Sequence, residues 1–219
     1  METVEKKKVL IPKTPGALAL LNVLFATAVI IANVVASKVV QLGWMVVPSA
    51  VFAYALTFLF TDIIDEIWGK KEAQKTVWRG FWAQITASIL IVSAQWLPVA
   101  PFMAEQQEHF VAILGQNWRF AIASLIAYLI AQTSDVYSFA FFGKLTKGKH
   151  KWLRNNLSTM SSQLIDTAIF ITIAFYGVVP NIWIMILSQY TLKLIIALCD
   201  TPFFYLLTKG YKYDYKHDE

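Results

Sequence analysis

Charged residues are scarce in this sequence of 219 residues. Lys, Arg, Asp and Glu together make up 15% of it, whereas hydrophobic residues make up 57%. A soluble globular domain carries about a quarter charged residues, so the composition excludes an ordinary soluble domain and predicts an integral membrane protein. The apolar residues form long continuous runs and do not alternate with polar ones, which favours membrane-spanning helices over a barrel.

Cysteine and catalytic signatures are almost absent as well. Cys199 is the only cysteine, which excludes an intrachain disulfide and a metal cluster built from several cysteines. The sequence contains no H-E-x-x-H, G-x-S-x-G or P-loop motif, nor the G-x-G-D of intramembrane aspartyl proteases. We therefore expect no enzymatic activity, no metal site and no cofactor.

Six apolar runs follow a short basic arm at residues 1–15, and each is close to the roughly 20 residues that a helix needs to cross a bilayer. They lie at about Ala17–Ser37, Val46–Ile64, Gly80–Leu97, Phe120–Phe142, Leu157–Val179 and Ile182–Thr208. The first run is longer than the core of a normal signal peptide and has no clear A-x-A exit, so we expect no cleavage. Residues 98–118, between the third and fourth runs, are expected to form a short interfacial or re-entrant helix.

The connections rich in Lys and Arg alternate with connections that are poor in them. By the positive-inside rule, both termini are then cytoplasmic. The sequence thus predicts an all-α membrane protein with a six-helix transmembrane domain at 16–208 and a charged cytoplasmic tail at 209–219. The net charge of +5 comes from residues at the ends of apolar runs, so it sets topology and predicts no nucleic-acid partner.

Two of the apolar runs carry the same polar pattern, Q-x-x-D-x-x-x-F. It is formed by Gln132, Asp135 and Phe139 in the fourth run, and by Gln163, Asp166 and Phe170 in the fifth. The spacing places the amide and the carboxylate one turn apart on one helix face. A carboxylate near the bilayer centre costs roughly 2.5–3.5 kcal/mol on insertion scales, so it normally faces protein or water and indicates function.

Lys193 lies near the middle of the sixth run, with Gln189 one turn before it. An unpaired ammonium at this depth would be costly, so Asp166 or Asp135 is its expected partner. Two interpretations remain open at this point: a purely structural ion pair, and a pair that opens to meet a substrate.

Three acids, Asp62, Asp65 and Glu66, share one face at the end of the second run. Acids at a helix C-terminus oppose the helix dipole, so we expect partners among the cations that follow, namely Lys70, Lys71, Lys75 and Arg79. Two interpretations of these acids remain: an interfacial salt-bridge cluster, and an inner gate formed by Asp62 and Glu66.

The first run contains Asn33 and three alanines, Ala28, Ala32 and Ala36, at four-residue spacing. Small residues at this spacing let another helix approach closely. The ridge is interpreted either as an intramolecular packing face or as a docking face for another subunit.

Several of these residues together resemble the queuosine-precursor transporter family, which is also called vitamin-uptake-transporter-like. The resemblance rests on Asn33 and Lys38, on D-I-x-x-E-x-W-G-x-x-x-A (Asp62, Glu66, Gly69, Ala73), on D-V-Y-x-F (Asp135, Phe139), on Asn155, Ser158, Gln163, Asp166 and Phe170, and on Lys193 with Thr201-Pro202. It extends from the first run to the sixth. The extra acid Asp65 and the tail YKYDYKHDE depart from the pattern.

The resemblance implies a multi-pass protein of the prokaryotic cytoplasmic membrane that takes up 7-cyano-7-deazaguanine or its aminomethyl form. A guanine-like edge offers N1–H and N2–H₂ donors that a carboxylate can accept, and Gln or Asn can meet the remaining polar atoms. We expect Asp166 and Gln163 to bind this edge, with Asp135 and Gln132 opposite. Phe139, Phe170 or Tyr54 would stack on the ring, Lys193 would balance charge, and Asn33 would line the outer path.

Two other functions stay open from the sequence. One is a substrate-binding subunit of an energy-coupling-factor importer, with the alanine ridge as the docking face. The other is a membrane scaffold that binds no ligand. The expected partners are therefore a small 7-deazapurine and the lipid bilayer, with a second copy of the chain and an energy-coupling subunit left open.

Overall fold

The computed structural model describes the backbone of residues 10–145 and 151–209. Within these ranges, the side chains of residues 132–133, 135–140, 142–145, 151–156, 158–159, 197–198, 200–201 and 205 lie outside the description. The described part is mainly helical. The helices are α1 (Pro15–Val35), α2 (Val51–Trp68), α3 (Lys70–Trp96), α4 (Ala104–Leu114), α5 (Asn117–Leu145), α6 (Lys151–Phe175) and α7 (Ile182–Leu207).

Side-chain caps fix where two of these helices begin. The hydroxyl of Thr14 accepts from the backbone N–H of Ala17 at 3.2 Å, and Pro15 occupies the first turn of α1. The side-chain oxygen of Asn181 accepts from the backbone N–H of Ile184 at 3.2 Å at the start of α7. Both arrangements satisfy a backbone donor that the first turn of a helix leaves without a partner.

A β-hairpin precedes α2, and it corrects the all-α prediction in this region. Strands β1 (Val39–Leu42) and β2 (Met45–Pro48) pair antiparallel, with Leu42 opposite Met45. The second helix, expected from Val46, therefore begins at Val51. The valine-rich segment has high strand propensity, and a two-residue Gly-Trp turn joins the strands.

The hairpin is fastened to α1 and α7 by hydrogen bonds. The Ser49 backbone N–H donates to the Lys38 carbonyl at 2.8 Å, and the Ser49 hydroxyl donates to the Val35 carbonyl at 2.7 Å. The Val46 N–H donates to the Ser188 hydroxyl oxygen on α7 at 3.1 Å. The hairpin is thus tied to two of the long helices.

A single glycine separates α2 from α3. Gly69 has φ = 93°, in the region that favours glycine. A Cβ at this position would meet no atom within 4 Å, so the torsion alone makes glycine the favoured residue here. The third helix starts at Lys70, earlier than the predicted Gly80, because the charged residues before the apolar run are helical as well.

The short helix expected between residues 98 and 118 is confirmed as α4, preceded by a 3₁₀ turn at Pro101–Met103. None of the residues of α4 is buried. Its orientation to a membrane remains a prediction.

Among the described residues, two stretches are long and apolar enough to cross a membrane: Pro15–Val35, with mean hydropathy 2.4, and Pro101–Ala131, with mean hydropathy 1.4. Shorter apolar helical stretches lie at Met160–Phe175 and Ile182–Ile196. The six-span count and the cytoplasmic location of both termini remain predictions, and so do the arm and the tail, because residues 1–9 and 210–219 lie outside the description.

Alanines allow the helices to pack closely. The largest buried cluster includes Ala32 and Ala36 from α1, Ala123 and Ala127 from α5, and Ala174 from α6, next to three phenylalanines. Ala32 and Ala36 are 0% exposed. The ridge of α1 is therefore an intramolecular packing face, and the docking interpretation of it is wrong.

Gly80 marks a close approach between α3 and α1. A Cβ added there would collide with the ring of Phe25 on α1, which is itself buried. Because a ring held in a packed interior has little room to move, a larger residue at this position strains the contact.

We expect Gly80→Ala to destabilise the protein by about 1–3 kcal/mol, in the range typical of overpacking. Gly16→Ala is the matched control, because a Cβ on Gly16, also helical, meets nothing within 4 Å. Thermal unfolding of the purified variants in detergent measures both. Equal melting temperatures for the two variants would contradict the close approach.

Candidate functional site

A partly open cavity of about 420 Å³ lies among α1, α2, α3, α5, α6 and α7. Its size falls within the range of small-molecule sites. The polar residues that line it are Asn33, Thr57, Thr61, Lys70, Gln74, Gln84, Ser124, Ser162, Gln163, Asp166, Gln189 and Lys193. Phenylalanines, tyrosines and small apolar residues make up the rest of the wall.

Asp166 and Lys193 form an ion pair in the cavity wall. The Lys193 Nζ donates to Asp166 Oδ2 at 2.8 Å, and Gln163 Oε1 lies 3.5 Å from the same ammonium. The Lys193 side chain is 11% exposed and that of Asp166 is 28% exposed. Of the two partners predicted for Lys193, Asp166 is confirmed, and both members of the pair line the cavity.

A second polar chain joins three helices on the cavity wall. The Asn33 amide donates to the Val29 carbonyl at 3.0 Å, which leaves its Oδ1 to accept from Ser124 at 3.4 Å. The Tyr54 hydroxyl lies 2.9 Å from the Ser124 hydroxyl. Since Ser124 gives its single proton to Asn33, Tyr54 is the donor in that contact. The sequence indicated Asn33, but nothing in it singled out Ser124.

Aromatic rings form two groups around the cavity. Phe170 meets Tyr54 edge-on, with centroids 6.2 Å apart and planes at 75°. Phe81 and Tyr128 lie 5.1 Å apart on α3 and α5. All four residues line the cavity, so a flat ring could contact apolar faces as well as polar groups.

Gln84 is a lining residue that the sequence analysis missed. It is 3% exposed, and its amide nitrogen lies 3.1 Å from the Ser88 hydroxyl and 3.4 Å from Asn117 Oδ1. Gln189, noted only as a neighbour of Lys193, is 2% exposed and also lines the cavity. A glutamine in the middle of an apolar helix was the available signal for both.

Asp62 and Glu66 are not among the residues that line the cavity, so their role as a gate stays a prediction. Two of the four cations expected to serve these acids have another partner. Lys75 and Arg79 pair with Glu72 in the first turn of α3, at 2.6 and 3.3 Å. This corrects their expected assignment to the acids of α2, because Glu72 lies on their own helix and one turn from Lys75.

The cluster of Glu72, Lys75 and Arg79 also connects two helices. Arg79 donates to the side-chain oxygen of Asn22 on α1 at 3.1 Å. The hydrogen bond from Lys75 lowers the pKa of the Glu72 carboxyl below its ordinary value, and the charges of both cations act in the same direction. This cluster is solvated, so it orients side chains more than it stabilises the fold.

The side chains of Gln132, Asp135 and Phe139 lie outside the described part of the structure, although the backbone of α5 passes through these positions. Their place in the site stays a prediction. Within the described ranges, no group of three or more His, Cys, Asp or Glu residues could hold a metal ion.

A cavity between helices with a partly buried ion pair in its wall is typical of membrane proteins that move small polar solutes. Sequence comparison identifies the family to which the chain belongs. Residues 48–207 match the family described as "Putative vitamin uptake transporter". The chain belongs to this family of transporters, which are not enzymes.

Two relatives carry more specific names. A "Probable queuosine precursor transporter" of Bacillus subtilis (strain 168) is 33% identical over 186 residues, covering 83% of this chain and 80% of that protein. A protein of Haemophilus influenzae with the same name is 29% identical over 124 residues, covering 56% of this chain and 49% of that protein. No solved structure matches the chain.

We expect Lys193→Met to destabilise the protein by about 3 kcal/mol, because it leaves the Asp166 carboxylate without its cation in a poorly solvated site. The double variant Asp166→Leu/Lys193→Met removes both charges and should recover most of that loss. Thermal and denaturant unfolding in detergent compare the two. A double variant no more stable than the single one would contradict the assignment of this pair.

Proposed function

We propose that the protein imports a queuosine precursor, 7-cyano-7-deazaguanine or 7-aminomethyl-7-deazaguanine, across the prokaryotic cytoplasmic membrane. The proposal draws on the names of both relatives and on the composition of the cavity. The observation that carries it is the Asp166–Lys193 pair with Gln163 beside it in the cavity wall.

The chemistry of the ligand suits this arrangement. Asp166 keeps lone pairs that Lys193 does not use, and a carboxylate accepts the adjacent N1–H and N2–H₂ donors of a guanine-like edge. Lys193 holds the carboxylate and balances its charge, and Gln163 contributes an amide at the same position. Phe170 and Tyr54 offer apolar ring surface for the heterocycle.

The remaining assignments extend from the sequence. Asp135 and Gln132 would face Asp166 from α5, and Asn33 would line the outer path. Asp62 and Glu66 would form an inner gate. For the aminomethyl form, which is a cation, an inside-negative membrane potential would favour uptake by about 2.3 kcal/mol per 100 mV.

Asp166→Asn should reduce uptake of labelled precursor by tenfold or more, because a charge-assisted acceptor is replaced by a neutral amide and Lys193 loses its counter-charge. Ligand-induced thermal stabilisation of the purified variant should fall in parallel. Glu105→Gln, which makes the same chemical change on the exposed helix α4, is the matched control. Unchanged uptake and binding in Asp166→Asn would refute the site.

A dependence on an energy-coupling subunit is tested separately. The alanine ridge that suggested such a docking face is buried inside the chain, so this feature no longer supports it. We expect the purified chain alone to carry labelled precursor into liposomes. Binding without transport in liposomes, together with transport in cells, would favour a substrate-binding subunit instead.

A further inference from the structure

Two buried amide oxygens in residues that line the cavity have no hydrogen-bond partner in the part of the chain that the structure describes. They are Oε1 of Gln84 on α3 and Oε1 of Gln189 on α7. Both residues are almost fully buried, at 3% and 2% exposed. A buried acceptor without a donor is costly, so it needs a structural reason.

The hydrogen bonds of Gln84 occupy its amide nitrogen in the structure. The Ser88 hydroxyl donates to Asn117 Oδ1 at 2.9 Å, and the Gln84 amide nitrogen lies 3.1 Å from the Ser88 hydroxyl and 3.4 Å from Asn117 Oδ1. The Gln84 oxygen has no donor among the described residues.

Gln189 lies one turn before Lys193 on α7, so the two residues share a helix face. Lys193 directs its ammonium to Asp166 and Gln163, and the Gln189 oxygen has no partner among the described residues. Three residues with acceptor oxygens thus line the cavity from three helices: Gln84 on α3, Asp166 on α6 and Gln189 on α7.

We infer that Gln84 and Gln189 are specificity-determining residues that accept hydrogen bonds from N–H groups of the substrate. This inference rests on the proposed function and deepens it. With N1–H and one amino hydrogen taken by Asp166, a 7-deazaguanine still offers the second amino hydrogen and the pyrrole N9–H. Two unpartnered acceptors match two remaining donors, and a ligand without these N–H groups leaves buried oxygens unpaired.

The test combines protein variants with ligand analogues. Gln84→Leu and Gln189→Leu remove one acceptor each, while Gln95→Leu changes a glutamine on the same helix α3 that does not line the cavity. The probes are 7-cyano-7-deazaguanine, its analogue without the 2-amino group and its 9-methyl analogue. Affinities are measured by ligand-induced thermal shift on the full chain in detergent.

The wild type and Gln95→Leu should bind the parent compound and discriminate against both analogues. Each cavity variant should bind the parent about tenfold more weakly, as expected for one lost hydrogen bond. It should also discriminate less strongly against the analogue that lacks the donor it served, although the analogue without the 2-amino group still loses its contact with Asp166. A merely structural effect would weaken all three probes equally and leave the discrimination intact.

The inference is overturned if both cavity variants bind the parent within twofold of the wild type, or if they keep full discrimination against both analogues. Either result leaves the proposed function standing, provided that the wild type binds the parent compound. If the wild type binds none of the three probes and does not bind 7-aminomethyl-7-deazaguanine either, the proposed function and the inference fall together.

Discussion

Polar groups in an apolar surrounding must find partners within the protein, and this constraint governs the interior of the molecule. Asp166 and Lys193 are placed on adjacent helices so that each neutralises the other. Asn33 donates a hydrogen bond to the Val29 carbonyl of its own helix and accepts one from Ser124, which is in turn hydrogen-bonded to Tyr54. Polar side chains that would be unfavourable singly are thus collected at one cavity, whose wall is formed by six of the helices.

Small residues make this arrangement possible. Where alanines line the contacts between α1, α5 and α6, the helices approach closely and exclude solvent. Elsewhere, larger and polar side chains keep helices apart and leave the cavity open. The close contact of Gly80 with Phe25 belongs to the same pattern, because Phe25 is also part of the cavity wall. Packing on one side of a residue consequently determines the shape of the space on its other side.

The sequence was informative where a residue type contradicted its surroundings. Asp166 and Lys193 stand out in apolar runs, and because each needs an opposite charge, their pairing could be predicted. Ser124 and Gln84 are ordinary polar residues of membrane helices, and their roles depend on which helices become neighbours. That information is not contained in local spacing.

The hairpin at Val39–Pro48 was missed for a related reason. A short valine-rich run has the same composition as the start of an apolar helix, and periodicity does not separate the two. Lys75 and Arg79 were assigned to the acids of α2 by proximity along the chain, whereas the acid they contact is Glu72, on their own helix. Boundaries and partners of this kind are decided by three-dimensional packing.

The corner at Gly69 has a consequence for the geometry of the cavity. Lys70 and Ala73, which follow it directly, belong to the cavity wall. Backbone rotation at this residue contributes to the direction in which α3 leaves α2. A small rotation there would therefore displace this end of the cavity wall.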